Sequence, residues 1–89
     1  MMAACGGLSE PTKATGDIQS LVESVKSEIE EKLGYTFDSV KAIEVAKQVV
    51  AGTNYFVKIQ IRDADYIHAR IFKSKIQFIF LYIVINFFL

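Results

Sequence analysis

The sequence predicts an α+β domain in which one N-terminal helix packs on an antiparallel sheet. Between residues 17 and 33 the apolar residues recur at the spacing of an amphipathic helix. From Tyr55 onward they alternate with polar residues, which is typical of strands with one buried face. Because the helix stripe and the apolar face of the sheet must both be covered, we expect each to cover the other.

The predicted helix has recognisable ends. Thr15 or Asp17 can cap its start, and Gly34 can end it in a left-handed conformation. Residues 1 to about 14 are small and polar and hold the only proline, so we predict an extended, mobile arm. The apolar stripe expected in the core consists of Ile18, Leu21, Val22, Val25, Ile29 and Leu33.

The predicted strands follow the helix. Residues 40–50 are rich in Val, Ile and Ala, but their imperfect alternation indicates a strand with a bulge or kink. Residues 51–54, Ala-Gly-Thr-Asn, form a turn cluster. The next strand runs from Tyr55 to Arg62, and a short turn at residues 63–65 leads to another strand from Tyr66 to about Lys73.

The last segment differs from everything before it, because residues 76–89 contain no charge. We therefore divide the chain into a domain of residues 1–74 and an atypical hydrophobic segment of residues 75–89. One interpretation is a membrane anchor, although as a helix residues 76–89 would reach roughly 21 Å, short of the about 30 Å of a bilayer's hydrocarbon layer. The alternatives are a strand added to the sheet, or a segment foreign to the fold and translated past a splice boundary. If exposed, it is expected to aggregate.

The composition excludes several classes of function. The chain has 89 residues, enough for one small domain, and its 10 basic residues balance its 10 acidic ones, so we expect no nucleic-acid partner. One Cys and one His are too few for a structural zinc site. Cys5 and His68 lack an evident rigid pocket, so we expect no enzyme, no metal and no cofactor. The single Cys and the absence of a signal-peptide pattern favour the cytoplasm.

The string Gln-Val-Val-Ala-Gly-Thr-Asn-Tyr-Phe, residues 48–56, resembles the hallmark hairpin of the cystatin superfamily, whose signature is Gln-x-Val-x-Gly. Gly6-Gly7-Leu8-Ser9 resembles the N-terminal start of stefins, the type 1 cystatins. Glu30-Glu31-Lys32 resembles the end of the stefin helix, and His68 to Ser74 resembles a stefin strand. The likeness covers about residues 6–74, and it implies a cystatin-like fold with a curved antiparallel sheet.

The resemblance also implies a function, which is reversible, tight-binding inhibition of papain-like cysteine proteases, the lysosomal cathepsins among them. Stefins occlude the active-site cleft with the arm and the first hairpin, and present no peptide bond for attack. In this sequence Gly6 would let the arm pass the catalytic centre. Val49 and Val50 would make small apolar contacts, and Gln48 would shape the loop by hydrogen bonding. The expected protease-binding residues are Gly6, Gln48, Val49, Val50, Ala51 and Gly52.

The sequence departs from the family after Ser74. Stefins continue with a Leu-Pro second hairpin and a polar last strand, whereas this chain continues with Lys75, Ile76 and the apolar segment. Affinity is therefore expected to fall below that of a complete family member. The alternative function is a truncated or aberrant stefin variant with weak or no inhibition, which aggregates or attaches to membranes through its tail. We expect a monomer, with self-association as the alternative.

Overall fold

The structure, a computed structural model, describes residues 7–74 and the backbone of residues 79–84. Its five strands form one antiparallel sheet in the order β1-β2-β3-β4-β5. The α+β, cystatin-like class predicted from the sequence is confirmed. The elements are β1 (Thr12–Lys13), α1 (Gly16–Ser24), α2 (Lys26–Leu33), β2 (Lys41–Val50), β3 (Gly52–Arg62), β4 (Asp65–Ser74) and β5 (Ile79–Val84).

The predicted helix is present but divided in two at Val25. The Val25 amide donates to the Val22 carbonyl three residues back at 3.1 Å, which tightens the turn at the end of α1. The Ser24 hydroxyl donates to the Leu21 carbonyl at 2.6 Å and so competes with the regular helix ladder. Gly34 ends α2 at a φ of 86°, as predicted. Thr15 occupies the N-cap position of α1 without a side-chain cap bond.

The predicted apolar stripe of the helix does form the core. Its members are buried or half-buried against alternate residues of β3 and β4, so the period of two in these strands is also confirmed. Ile29, Ile59 and Ile71 are completely buried. The buried cluster consists of Ile18, Val22, Val25, Ile29, Phe37, Val40, Val45, Val57, Ile59, Ile61, Ile67, Ala69 and Ile71.

The predicted irregularity of β2 is a register shift against β3 between Ala42 and Glu44. The Gln19 amide of α1 supports the strand beside this shift. Its nitrogen donates to the Val40 carbonyl at 2.9 Å, and its oxygen accepts from the Ala42 amide at 2.8 Å. The Gln19 side chain therefore satisfies backbone groups at the start of β2, as a neighbouring strand would, and it joins the helix layer to the sheet.

Two predictions about chain segments need correction. The turn expected over residues 51–54 is shorter, because Val50 already pairs with Gly52 and leaves Ala51 alone between β2 and β3. Thr53 and Asn54 belong to β3, since the reversal is completed at a glycine with a φ of 139°. The extended arm is not loose from Ser9 onward: its backbone bonds to β2, and β1 pairs with β2.

The hydrophobic tail enters the sheet over the part that the structure describes. Residues 79–84 form β5, which pairs antiparallel with β4 from Lys73↔Ile79 to His68↔Val84. Of the three interpretations of the tail, the added strand agrees with this backbone. Residues 75–78 and 85–89 lie outside the described range, and the division of the chain at residue 74 stays a prediction. No helix in the described ranges is long and apolar enough to span a bilayer.

Candidate functional site

The N-terminal arm runs alongside β2 toward the tip of the β2–β3 hairpin. Thr12 pairs with Val45, and further along the Ser9 amide donates to the Lys47 carbonyl at 2.8 Å. The Lys47 amide in turn donates to the Ser9 hydroxyl at 2.9 Å. Because β1 and β2 are antiparallel, Leu8 and Gly7 lead from Ser9 toward the hairpin tip. Gly6 itself lies outside the described residues.

The hairpin tip presents apolar side chains to solvent. Val49 is 62% exposed, Val50 is 37% exposed and Ala51 is exposed between the strands. Leu8 of the arm is 58% exposed. Exposed apolar side chains that lie close together are one feature of a contact surface for another protein. We call this end of the molecule, formed by the arm and residues 48–52, the tip end.

The Gln48 side chain bonds within the hairpin. Gln48 pairs with Asn54 across the two strands, and the Asn54 amide nitrogen donates to the Gln48 side-chain oxygen at 3.1 Å. The bond lies next to the Val49↔Thr53 pair and so holds the last turn of the hairpin together. The expectation that Gln48 shapes the loop by hydrogen bonding agrees with this geometry, whereas its contact with a protease stays a prediction.

Gly52 has a second constraint besides the turn. A Cβ atom at this position would lie 2.6 Å from the Lys73 carbonyl oxygen and 2.9 Å from the Ser74 Cα atom. Both atoms belong to the backbone of β4, which cannot move without disturbing the sheet. Its φ of 139° is also a conformation that side-chain-bearing residues rarely adopt. Glycine therefore lets β4 lie directly against the hairpin tip.

The end of β4 completes the tip end. Ser74 pairs with Gly52, and β5 begins opposite Lys73. The connection between these two strands, residues 75–78, therefore starts and finishes beside the hairpin tip. Its own conformation lies outside the described residues. This is where the sequence lacks the Leu-Pro hairpin expected from the resemblance.

In the part of the chain with described side chains, no three His, Cys, Asp or Glu residues could together hold a metal ion. His68 lies in the middle of β4, opposite Lys58 and away from the tip end. Burial lowers the pKa of its imidazole, and the Lys58 charge lowers it further. Cys5 lies outside the described residues, so the expectation that it forms no catalytic pair with His68 stays a prediction.

Comparison with known proteins shows this sequence pattern in one family. The family model for the cystatin domain matches residues 6–77, which is most of the chain. The chain belongs to the cystatin family. Within that family it is a stefin-type member, since it is 46% identical to human Cystatin-A over 69 residues, 78% of this chain and 70% of that protein. It is likewise 47% identical to Cystatin-B of Sus scrofa over 70 residues, 79% of this chain and 71% of that protein.

A further relative carries the activity in its name. Leukocyte cysteine proteinase inhibitor 1 of Sus scrofa is 45% identical over 69 residues, 78% of this chain and 67% of that protein. Cysteine protease inhibition is therefore the activity of the family to which this cystatin belongs, and the family consists of inhibitors rather than enzymes.

Three residues at or beside the tip end were not predicted from the sequence to contribute to it. Leu8 supplies exposed apolar surface on the arm, Ser9 fixes the arm to β2, and Asn54 holds Gln48. The spacing of Gln48 and Asn54 around a hairpin could have indicated their pairing, since both have side-chain amides. Ser9 and Lys47 are far apart in sequence, and their contact follows only from the sheet.

Proposed function

We propose that this cystatin is a reversible, tight-binding inhibitor of papain-like cysteine proteases, including lysosomal cathepsins, in the cytoplasm. It acts by placing the tip end in the active-site cleft and blocking access of substrate. The observation that carries the proposal is the convergence of the arm and the hairpin at one end, with Leu8, Val49 and Val50 exposed there. The protease-binding residues we propose are Gly6, Gln48, Val49, Val50, Ala51 and Gly52.

The physical mechanism is occlusion by a preformed surface. The Gln48–Asn54 bond and the close approach of β4 to Gly52 fix the hairpin before binding, so little conformational entropy is lost when it enters a cleft. Burying Val49 and Val50 removes apolar surface from water and supplies binding free energy. Because a hairpin tip need not place its backbone as a substrate does, the inhibitor dissociates from the cleft without being cleaved.

Titration of a protease with the full chain distinguishes the proposed inhibitor from the alternative, a variant without inhibitory activity. We expect the full chain to inhibit papain and a lysosomal cathepsin with one inhibitor per active site. Dilution should restore protease activity, and mass spectrometry should find the inhibitor intact. Absence of inhibition by folded protein at micromolar concentration would exclude the proposal, and cleavage of the hairpin during inhibition would exclude its mechanism.

The proposed role of the arm has its own test. Gly6→Phe should weaken inhibition of papain by about tenfold or more, because a side chain would obstruct the close approach to the cleft. Gly16→Phe is the matched control, since Gly16 is exposed and has open space around it. Equal inhibition constants for the two variants would remove Gly6 from the binding surface and leave the hairpin as its principal part.

A further inference from the structure

Within the part of the chain that the structure describes, β5 is the last strand of the sheet, and its sequence carries none of the features that usually discourage edge pairing. No other strand in the described ranges pairs with its outer side. Its sequence, Ile-Phe-Leu-Tyr-Ile-Val, has no charge, no proline and no glycine. Natural edge strands commonly carry lysine, proline or a bulge, which prevent a second chain from pairing with them.

The backbone of β5 offers hydrogen-bonding groups to a partner. In an antiparallel pair, alternate residues direct both their N–H and C=O groups to the neighbouring strand. Of the 6 residues of β5, alternate ones therefore face β4 and the others face outward. The outward residues are a ready template for one more strand.

The opposite edge of the sheet is a poor template. There β1 has only two residues, Thr12 and Lys13, and one of them is charged. A strand that pairs with β5 therefore finds no equivalent site at the other edge. Pairing between copies of this chain should close at two, because each copy contributes one competent edge.

We propose that this cystatin forms a two-fold dimer in which β5 of one copy pairs antiparallel with β5 of a second copy. Directly opposed residues in such a pair belong to the same alternating set. The two-fold axis therefore passes beside a residue that lies opposite the same residue of the second copy. The central residues of β5, Leu81 and Tyr82, are the candidates for this position. The result is a continuous sheet of both copies.

The properties of the whole chain favour a second copy as the partner. Its 10 basic and 10 acidic residues give a formal net charge of zero, so two copies have no net repulsion to overcome. An uncharged strand also has no charge pattern that would select a different, charged partner. Because the pairing is antiparallel, the tip ends of the two copies point in opposite directions, and this proposal does not depend on the inhibitory function.

Sedimentation equilibrium across a wide concentration range tests the proposal with a matched pair of variants. Tyr82→Glu places a carboxylate opposite Arg70 within one copy, but brings two carboxylates close together across the dimer. Tyr82→Thr at the same position keeps a neutral, strand-favouring residue. We expect dimers of the wild type and of Tyr82→Thr, and monomers of Tyr82→Glu with an unchanged circular dichroism spectrum.

Disulfide crosslinking locates the axis in a Cys5→Ser background. Leu81→Cys and Tyr82→Cys are oxidised separately, and one of them should give a covalent dimer in high yield because its thiols face each other. A monomeric wild type at every concentration overturns the proposal. So does a Tyr82→Glu dimer as strong as the wild type, open-ended polymers, or failure of both cysteine variants to crosslink.

Discussion

At the residue scale, Gly52 connects the hairpin tip to β4. Its positive φ is one reason for glycine, and the 2.6 Å that would separate a Cβ atom here from the Lys73 carbonyl oxygen is an independent one. The sequence indicates Gly52 only as part of the turn cluster of residues 51–54. The contact with β4 could not be foreseen, because residues 52 and 73 are brought together only by the pairing of β3 and β4.

Three glycine-to-alanine substitutions separate the effect of the positive φ from the effect of the contact with β4. Gly52→Ala should lower the free energy of unfolding by more than about 2 kcal/mol, since it combines the strain of a positive φ with a backbone clash. Gly34→Ala has the positive φ but open space, so about 1 kcal/mol is expected. Gly16→Ala has neither and should change stability little. Urea denaturation measures all three, and equal effects at Gly52 and Gly34 would contradict the clash.

The single histidine supplies a second prediction at this scale. Burial and Lys58 lower the pKa of His68 from its ordinary value of 6.5. The unfolded chain therefore binds a proton more readily, so the contribution of His68 to stability is complete above about pH 6.5 and is lost as the pH falls through the folded-state value. NMR titration of its ring protons should give a midpoint below 6.5, and a midpoint above it would contradict the buried environment.

At the element scale, Gln19 joins α1 to β2. Its amide satisfies the Val40 carbonyl and the Ala42 amide beside the register shift of β2. Hydrophobic spacing predicted both the helix and the strand, and their packing followed from their apolar faces. The hydrogen bonds could not be predicted, because Gln19 lies on the helix among other polar residues and nothing in the sequence distinguishes it.

Removing the Gln19 amide should destabilise the protein. Gln19→Ala leaves two part-buried backbone groups without their partner, so we expect a loss of about 1–3 kcal/mol in the free energy of unfolding. Glu23→Ala is the control, because Glu23 accepts only an exposed bond from the same amide at 2.8 Å. Glu23→Ala should lower the free energy of unfolding by less than about 0.5 kcal/mol. Equal losses for the two variants would mean that the bonds to β2 contribute nothing.

At the scale of the whole molecule, exposed apolar side chains lie at both ends of the sheet. At the tip end, Leu8, Val49 and Val50 are exposed on the arm and the hairpin. At the opposite end, beside the β3–β4 turn, Tyr66 is also exposed. The Lys58 ammonium nitrogen lies over its ring, 4.8 Å from the ring centroid. Exposed apolar surface alone therefore does not distinguish the ends, and the proposal depends on the convergence of the arm with the hairpin.

Most of this architecture could be predicted from periodicity, and the hairpin from its motif. The length of the turn at Ala51 could not, because Thr53 and Asn54 are common turn residues that here pair with Val49 and Gln48. The tail was left open among three interpretations, since an uncharged apolar run suits a buried strand and also a membrane anchor, although it is short for a membrane span. Its backbone over residues 79–84 pairs with β4, a long-range contact that local sequence does not encode.

The most direct test of the central claim compares Val49→Asp with Tyr66→Asp in the inhibition of papain. Both substitutions place a carboxylate at an exposed position, 62% at Val49 and 46% at Tyr66, but at opposite ends of the sheet. If the tip end enters the cleft, Val49→Asp should raise the inhibition constant at least about tenfold, because a charge is buried in the contact. Tyr66→Asp should leave the constant unchanged. Equal constants for both variants and the wild type would contradict the account.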